Sequence, residues 1–356
     1  MSSQADAPGG PERQPGAQLI DLTVASKVAA RVAAAGALQG SYLLDDLEAS
    51  LAALVAEAES LVAEETQWGA LPPASALVLS RSAWADANIE SMLVIIDPLL
   101  DKVEDRIGDR PGARLARLAS GPALGVQLGT VLGFLSRHVL GQYDLIVGRP
   151  HEVWFVGPNL VQTERRFGFV PRDFRLWVAL HELTHRAQFE GTPWLREHFL
   201  GMVRTLLGSL EVDARVLLAR VLEASRRPGT DPFPFRILEP GQRELFEQLQ
   251  ALMTVIEGHG NFVMDRIGQE VIPTQDRMRR TLRDVQSSSG PVARIVSKLL
   301  GLDLKRRQYE EGQHFFERVF ARGGSEAVRR TFTAPQALPS MQEVRSPETW
   351  LRRTAS

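Results

Sequence analysis

Two histidines and a glutamate near the middle of the chain have the spacing of a metal site. Residues 177–189 read WVALHELTHRAQF, so that His181, Glu182 and His185 form an H-E-x-x-H pattern. On a helix, residues i and i+4 lie on one face, about a turn apart. Two imidazole nitrogens can then bind one Zn²⁺, while the neighbouring carboxylate takes a proton from a metal-activated water that attacks a carbonyl. The pattern predicts His181 and His185 as zinc ligands and Glu182 as the general base.

The residues around this pattern place both histidines on the inward face of the helix. The stripe with helical spacing consists of Phe174, Trp177, Val178, His181, His185 and Phe189. Because unpaired buried polar groups are costly, two histidines on this face need partners, and one metal ion satisfies both. The alternative is a pair of hydrogen-bonded core histidines, with Glu182 pairing Arg186 at i,i+4 on the surface.

A catalytic zinc normally has a third protein ligand and keeps one position open for water. The metzincin continuation of the pattern is absent, because Gln188 stands where a glycine is required and Gly191 where the third histidine is required. The position of a thermolysin-like glutamate is occupied by Thr205. The third ligand must therefore come from another part of the chain.

Five residues are candidates for this ligand: His198, Glu211, Asp213, Glu257 and His259. Glu257 is favoured because it is an isolated carboxylate in the apolar helix ALMTVIEGHG, where a charge is costly unless it is paired or binds a metal. Gly258 and Gly260 would let another helix approach closely. His259 lies two residues on and points elsewhere, as a partner behind the ligands, a transition-state donor or a hydrogen-bonded core residue.

A hydrolase also needs groups that stabilise the developing oxyanion, and zinc supplies part of this stabilisation. Tyr309, His259 and His314 are candidates for the rest. Tyr309 and His314 are five residues apart on a predicted helix, so they do not point the same way. Tyr309 is therefore a catalytic candidate next to the alternative that it is a core residue.

The chain divides into four predicted regions. Residues 1–18 are rich in Pro, Gly and Ala and form a disordered tail, and residues 19–140 form a helical scaffold. Residues 141–331 form the metal-binding catalytic region, with short β-branched strands at 143–147 and 152–156 followed by helices. Residues 332–356 are expected to form an irregular tail. The predicted fold class is mainly α with a small β element.

Composition excludes several classes of protein. The 356 residues include no cysteine, which excludes disulfides, thiolate zinc sites and a cysteine nucleophile. The net charge of −2 and the lack of a nucleotide-binding motif favour no nucleic-acid partner. No secretory signal and no apolar run of about 20 residues is present, so we expect a cytoplasmic protein without a membrane partner. The oligomeric state is not determined by these features.

Four segments together resemble an actinobacterial zincin-like metallopeptidase family. They are FRLWVALHELTHRAQF, TPWLREH, IEGHGNFVMD and KRRQYEEGQHFFERV, and RSAWADANIESMLVIIDPLL resembles the segment that precedes the site in that family. The resemblance covers roughly residues 19–331. The family was long treated as a domain of unknown function, with some members associated with deazaflavin coenzyme biosynthesis.

This resemblance implies a mostly helical zincin-like fold with a small β element beside the metal helix. It implies His181 and His185 as ligands, Glu182 as general base and Glu257 as the third ligand. We therefore expect a zinc-dependent metallopeptidase that acts on a peptide. The alternatives are an amidase that acts on a small amide and a non-enzymatic helical protein that zinc stabilises.

Overall fold

Helices make up most of the structure, a computed structural model that describes residues 19–34, 44, 46–69, 71–107, 113–147, 149–210, 238–287 and 302–355. The helices are α1 (Leu22–Ala33), α2 (Leu47–Thr66), α3 (Arg81–Ile107), α4 (Ala113–Leu135), α5 (Gly157–Phe167), α6 (Pro171–Gly191), α7 (Leu195–Ser209), α8 (Pro240–Val271), α9 (Gln275–Ser287), α10 (Leu302–Arg330), α11 (Met341–Arg345) and α12 (Pro347–Thr354). A 3₁₀ turn at Pro335–Ala337 precedes α11. The prediction of a mainly α protein with a small β element is confirmed.

Three short strands form one mixed sheet in the order β1-β3-β2. The strands are β1 (Ser75–Leu79), β2 (Gly141–Tyr143) and β3 (Glu152–Val156). The central strand β3 pairs in parallel with β1 and antiparallel with β2. Its residues 153–156 are fully buried, which is typical of a strand covered on both faces. The edge strand β2 contacts α6.

The N-terminal helices pack mainly among themselves. Helix α1 lies along α4 and contacts α3, and a buried cluster that includes Ala25, Ala29, Trp84 and Leu132 joins them to β3. Small residues at Ala25 and Ala29 allow this close approach of helices. Helices α1, α3 and α4 therefore form one packed group, while the division of the chain at residue 140 stays a prediction.

The largest core draws on both sides of residue 140. Helix α2 packs on α6, and α8 packs on both α6 and α10. Buried side chains of α2, from Leu47 to Val62, belong to the same cluster as Phe174, Ile256 and Phe316. The predicted scaffold region thus shares its core with the predicted catalytic region.

Two predicted segments differ from the structure. The strand predicted at 143–147 is replaced by β2, which covers residues 141–143. It ends at Tyr143 because the Asp144 carboxylate accepts the Ile146 N–H at 3.2 Å and turns the chain. The prediction of an irregular tail at 332–356 is wrong, since α11 and α12 form there and Trp350 is fully buried against Phe315. The predicted N-terminal tail at 1–18 lies outside the described residues, and so do the predicted helices at 210–224 and 292–300, apart from residue 210.

Candidate metal centre

Helix α6 carries the H-E-x-x-H pattern on its buried side. The helix begins at Pro171, whose missing N–H would be unpaired in the first turn in any case. Phe174 and Val178 of the predicted stripe are buried in the core. The same face therefore brings His181 and His185 inward, one turn apart.

Helix α8 adds Glu257 to these histidines. The Nε2 atoms of His181 and His185 are 3.1 Å apart. Glu257 Oε2 lies 3.8 Å from His181 Nε2 and 3.6 Å from His185 Nε2. Among the described residues these three form the group of side chains that could hold a metal ion.

This triangle of ligand atoms fits zinc. In a tetrahedral site with bonds of about 2.0–2.1 Å, two ligand atoms are about 3.3–3.4 Å apart, close to the three distances observed. Two imidazoles and one carboxylate are also a donor set of catalytic zinc sites. The His181 side chain is 20% exposed and that of Glu257 only 8%, so the histidine is the more accessible of these two ligands.

The surroundings of the triangle favour a cation. Burial acts to lower the pKa of His185, but the hydrogen bond and the charge of Glu257, together with the charge of Glu182, raise it above its ordinary value. Two carboxylates thus create a negative potential at the imidazole nitrogens, where a metal ion would bind.

Glycines let α8 reach the histidines. A Cβ at Gly260 would lie 3.2 Å from His185 Cε1 and 3.6 Å from His181 Cε1. A Cβ at Gly258 would lie 2.3 Å from the backbone carbon of Gly312, so that α8 and α10 touch at their backbones. The expectation that Gly258 and Gly260 permit close packing is confirmed.

Glu182 lies against the edge strand β2. Its carboxylate is buried, and Oε2 accepts the backbone N–H of Tyr143 at 3.1 Å. A Cβ at Gly141 would lie only 2.7 Å from Glu182 Cγ and 3.0 Å from Oε1. The strand therefore provides both a donor and the space for this carboxylate, and neither contact is visible in the H-E-x-x-H pattern.

The alternative with a surface Glu182–Arg186 pair does not agree with the structure. Arg186 is 1% exposed and lies inside the molecule, where it pairs with Glu59 and, at 3.0 Å, with Glu190. Glu182 faces β2 instead.

His259 lies behind the triangle, outside the three-residue group. Its Nδ1 is 3.0 Å from Gln188 Nε2, and its ring packs among Trp68, Phe316 and Phe332. Burial, and after it the charge of His185, lower the pKa of His259 to about 3, so the ring is neutral. These contacts agree both with a partner behind the ligands and with a hydrogen-bonded core residue, and a catalytic role for His259 stays a prediction.

The remaining candidates do not join the site in the described part of the chain. Tyr309 belongs to α10, but its side chain lies outside the described residues, as do Glu211 and Asp213. His314 is 65% exposed and lies 3.9 Å from Glu317. The ring of His198 packs against Trp194.

The fold and the site define a zincin-like class of protein, and comparison with known families agrees. A family model described as zincin-like metallopeptidase matches residues 20–351, so the chain belongs to the zincin-like metallopeptidase family. This family implies a metal, typically zinc, and the predicted zincin-like fold is confirmed. The actinobacterial origin and the coenzyme association stay predictions.

A solved structure from Chloroflexus aurantiacus is similar over nearly the whole chain. It is described as a "putative hydrolase with a novel fold" and is 31% identical, with a TM-score of 0.68. The match covers 94% of this chain and 99% of that chain. No curated protein matches.

The hydropathy of the helices is also informative. In the part of the chain that the structure describes, no helix combines the length and apolar character needed to cross a membrane.

Proposed function

We propose that this protein is a zinc-dependent hydrolase, specifically a metallopeptidase. The observation that carries the proposal is the triangle of His181 Nε2, His185 Nε2 and Glu257 Oε2, with a second carboxylate, Glu182, close enough to act on His185. When bound there, Zn²⁺ supplies a Lewis acid that lowers the pKa of a bound water to about 7 and polarises a carbonyl.

Glu182 supplies the proton transfers in this proposal. Its Oε2 accepts the Tyr143 N–H, so we assign proton uptake from the attacking water to Oε1. The same oxygen then returns the proton to the leaving amine nitrogen, which breaks the C–N bond and restores the carboxylate. The backbone of β2 holds Glu182 for both steps.

The position of β2 supports a peptide as the substrate. An extended peptide can pair with backbone groups of an edge strand, and β2 is an edge strand next to Glu182. A small amide would not need such an edge. Cleavage of peptides but not of single-amide compounds is the expected result, and the reverse preference would support the amidase alternative.

Metal content tests the site directly. Elemental analysis of protein purified without added metal should give about one Zn²⁺ per chain for the wild type and far less for Glu257→Gln. Asp265→Asn is the matched control, since Asp265 is also a buried carboxylate of α8 but binds Arg279 at 2.9 Å. Equal zinc in Glu257→Gln and Asp265→Asn would exclude Glu257 as a ligand.

Turnover tests the role of Glu182. Glu182→Gln should lower peptide hydrolysis by about 10²–10⁴-fold while zinc stays bound, because the amide cannot accept the proton. Glu190→Gln, two turns further along α6, should keep its turnover. Full zinc with no hydrolysis in the wild type would instead favour the non-enzymatic, zinc-stabilised protein.

A further inference from the structure

Gln188 connects the two helices that carry the candidate ligands. The residue is 0% exposed and lies on α6, one turn after His185. Its Oε1 is 2.9 Å from His185 Nδ1, and its Nε2 is 2.8 Å from Ile256 O and 3.0 Å from His259 Nδ1. Ile256 precedes Glu257 on α8, so this one amide contacts the neighbourhood of two predicted ligands.

The backbone carbonyl of Ile256 determines which way the amide points. A carbonyl oxygen only accepts hydrogen bonds, so the group that faces Ile256 O must be the NH₂ of Gln188. The opposite end is then the oxygen, which also only accepts. His185 Nδ1 must therefore donate its proton to Gln188 Oε1.

This donation determines the tautomer of His185. A neutral imidazole with its proton on Nδ1 has a lone pair on Nε2. That Nε2 is the atom that faces His181 and Glu257 in the triangle. The Gln188 amide thus leaves the lone pair of His185 Nε2 directed at the position between His181 and Glu257 where a metal ion would bind.

We propose, on the basis of the proposed zinc site, that Gln188 is a positioning residue: it holds His185 in the Nδ1–H tautomer and joins α6 to α8 beside Glu257. His259 completes the arrangement, since its Nδ1 accepts from the same NH₂ group that binds Ile256 O. The aromatic rings around His259 hold it in place for this contact. In the sequence, Gln188 stands out only as a departure from the metzincin pattern.

Nuclear magnetic resonance of ¹⁵N-histidine-labelled, zinc-free protein reads the tautomer without any assay of activity. Spectra are read at a pH high enough that His185, whose pKa lies above its ordinary value, carries a single ring proton, and wild-type His185 should then show a protonated Nδ1 and an unprotonated Nε2. Gln188→Leu removes the acceptor and should abolish this preference. Gln188→Glu keeps an acceptor for His185 Nδ1 but loses the NH₂ group that faces Ile256 O, so it should retain the Nδ1–H preference while weakening the link to α8. A wild-type His185 protonated at Nε2 would overturn the proposal even if neither variant folds.

Zinc affinity gives a second, independent measurement. Competition of zinc-free protein with a chelating dye for ZnCl₂ should show binding about 10–100-fold weaker in Gln188→Leu than in the wild type. Gln242→Leu is the matched control, because Gln242 is also buried and donates to Ser209 O at 2.8 Å, far from the triangle along α8.

The outcomes separate this proposal from the proposed function. No zinc binding by the wild type would overturn the zinc site, while the spectrum would still test the tautomer. Zinc binding that is equally strong in the wild type and Gln188→Leu would overturn the positioning role and leave the zinc site intact. Equal weakening in Gln188→Leu and Gln242→Leu would also overturn it, because general loss of packing would then explain the effect.

Discussion

Glu182 is held in place by a residue that has no side chain. Gly141, the first residue of β2, lies against Glu182. Any Cβ at this position would lie 2.7 Å from Glu182 Cγ, far inside van der Waals contact. The carboxylate also accepts the Tyr143 N–H. The position of the proposed base therefore depends on backbone groups of a strand forty residues before it.

Gly141→Ala should displace Glu182 and lower turnover while zinc content stays unchanged. We expect a loss of about 10²-fold or more, because a misplaced group near the chemistry is that costly. Hydrolysis rate and elemental zinc measure the two effects. Gly201→Ala is the control, since a Cβ at Gly201 meets nothing within 4 Å. Unchanged turnover in Gly141→Ala would mean that Glu182 does not need this position.

Glu190 is expected to make the stability of the protein depend on pH. Burial acts to raise its pKa, but the hydrogen bonds from Arg186 and from the His151 N–H, with the charge of Arg186, lower the pKa below its usual value. A carboxylate with a lowered pKa in the folded state stabilises the protein above its unfolded pKa of about 4.3 and loses this contribution as the pH falls through the folded pKa.

The melting temperature of the wild type should therefore fall more steeply than that of Glu190→Gln as the pH falls below about 5. At neutral pH the variant should be less stable by about 1–3 kcal/mol, because hydrogen bonds to a charged group are lost. Glu197→Gln, whose side chain is 68% exposed, serves as the control. Parallel curves for the wild type and Glu190→Gln would contradict this assignment.

At the scale of elements, the crossing of α6, α8 and α10 decides the geometry of the site. Close packing at Gly258 and Gly312 brings the backbones of α8 and α10 into contact. Gly260 lets α8 approach the imidazole rings of His181 and His185. Glycine costs roughly 1 kcal/mol inside a helix relative to alanine, so the close packing must offset this cost. Two glycines of one helix, separated by His259, thus serve different neighbours.

Alanine substitutions at these two positions should separate stability from metal binding. Gly258→Ala should lower the free energy of unfolding by about 1–3 kcal/mol or more, because its Cβ meets the immovable backbone of Gly312. Gly260→Ala should leave the melting temperature close to that of the wild type but weaken zinc binding, since its Cβ presses on the His185 ring at 3.2 Å. Thermal melting and zinc titration of both variants test this, and a reversed pattern would contradict it.

At the scale of the whole molecule, the C-terminal segment closes the core. Trp350 of α12 is fully buried, its ring lies 5.4 Å from that of Phe315, and its Nε1 donates to Ala337 O at 2.7 Å. Arg353 adds an ion pair with Glu343 of α11 at 2.6 Å. Because Phe315 lies on α10, which packs on α8, the last helices support the site from behind.

Trp350→Ala should destabilise the protein by about 3–5 kcal/mol, the usual cost of removing a large buried aromatic side chain. Chemical denaturation measures this change. The exposed Arg352→Ala is the matched control from the same helix and should unfold like the wild type. A negligible effect of Trp350→Ala would mean that the C-terminal helices do not contribute to the core.

Much of the candidate site could be predicted because its spacing is local. A four-residue repeat on one helix places His181 and His185 together whatever the rest of the chain does. Glu257 could be proposed because a lone carboxylate in an apolar helix needs a partner. Within the sheet, β3 was predictable from the β-branched run at 152–156, whereas the run at 143–147 contributes only Tyr143 to β2 because the chain turns at Asp144.

The tertiary structure alone decided which distant groups support these residues. The contacts of Glu182 with β2, of Gln188 with α8 and of Trp350 with α10 join elements far apart in the chain. Local patterns were enough to place His181, Glu182 and His185 on one helix and to predict a mainly α fold. Pairing between elements depends on how whole helices and strands pack, which no local periodicity encodes, and so the support of the site became visible only in the folded chain.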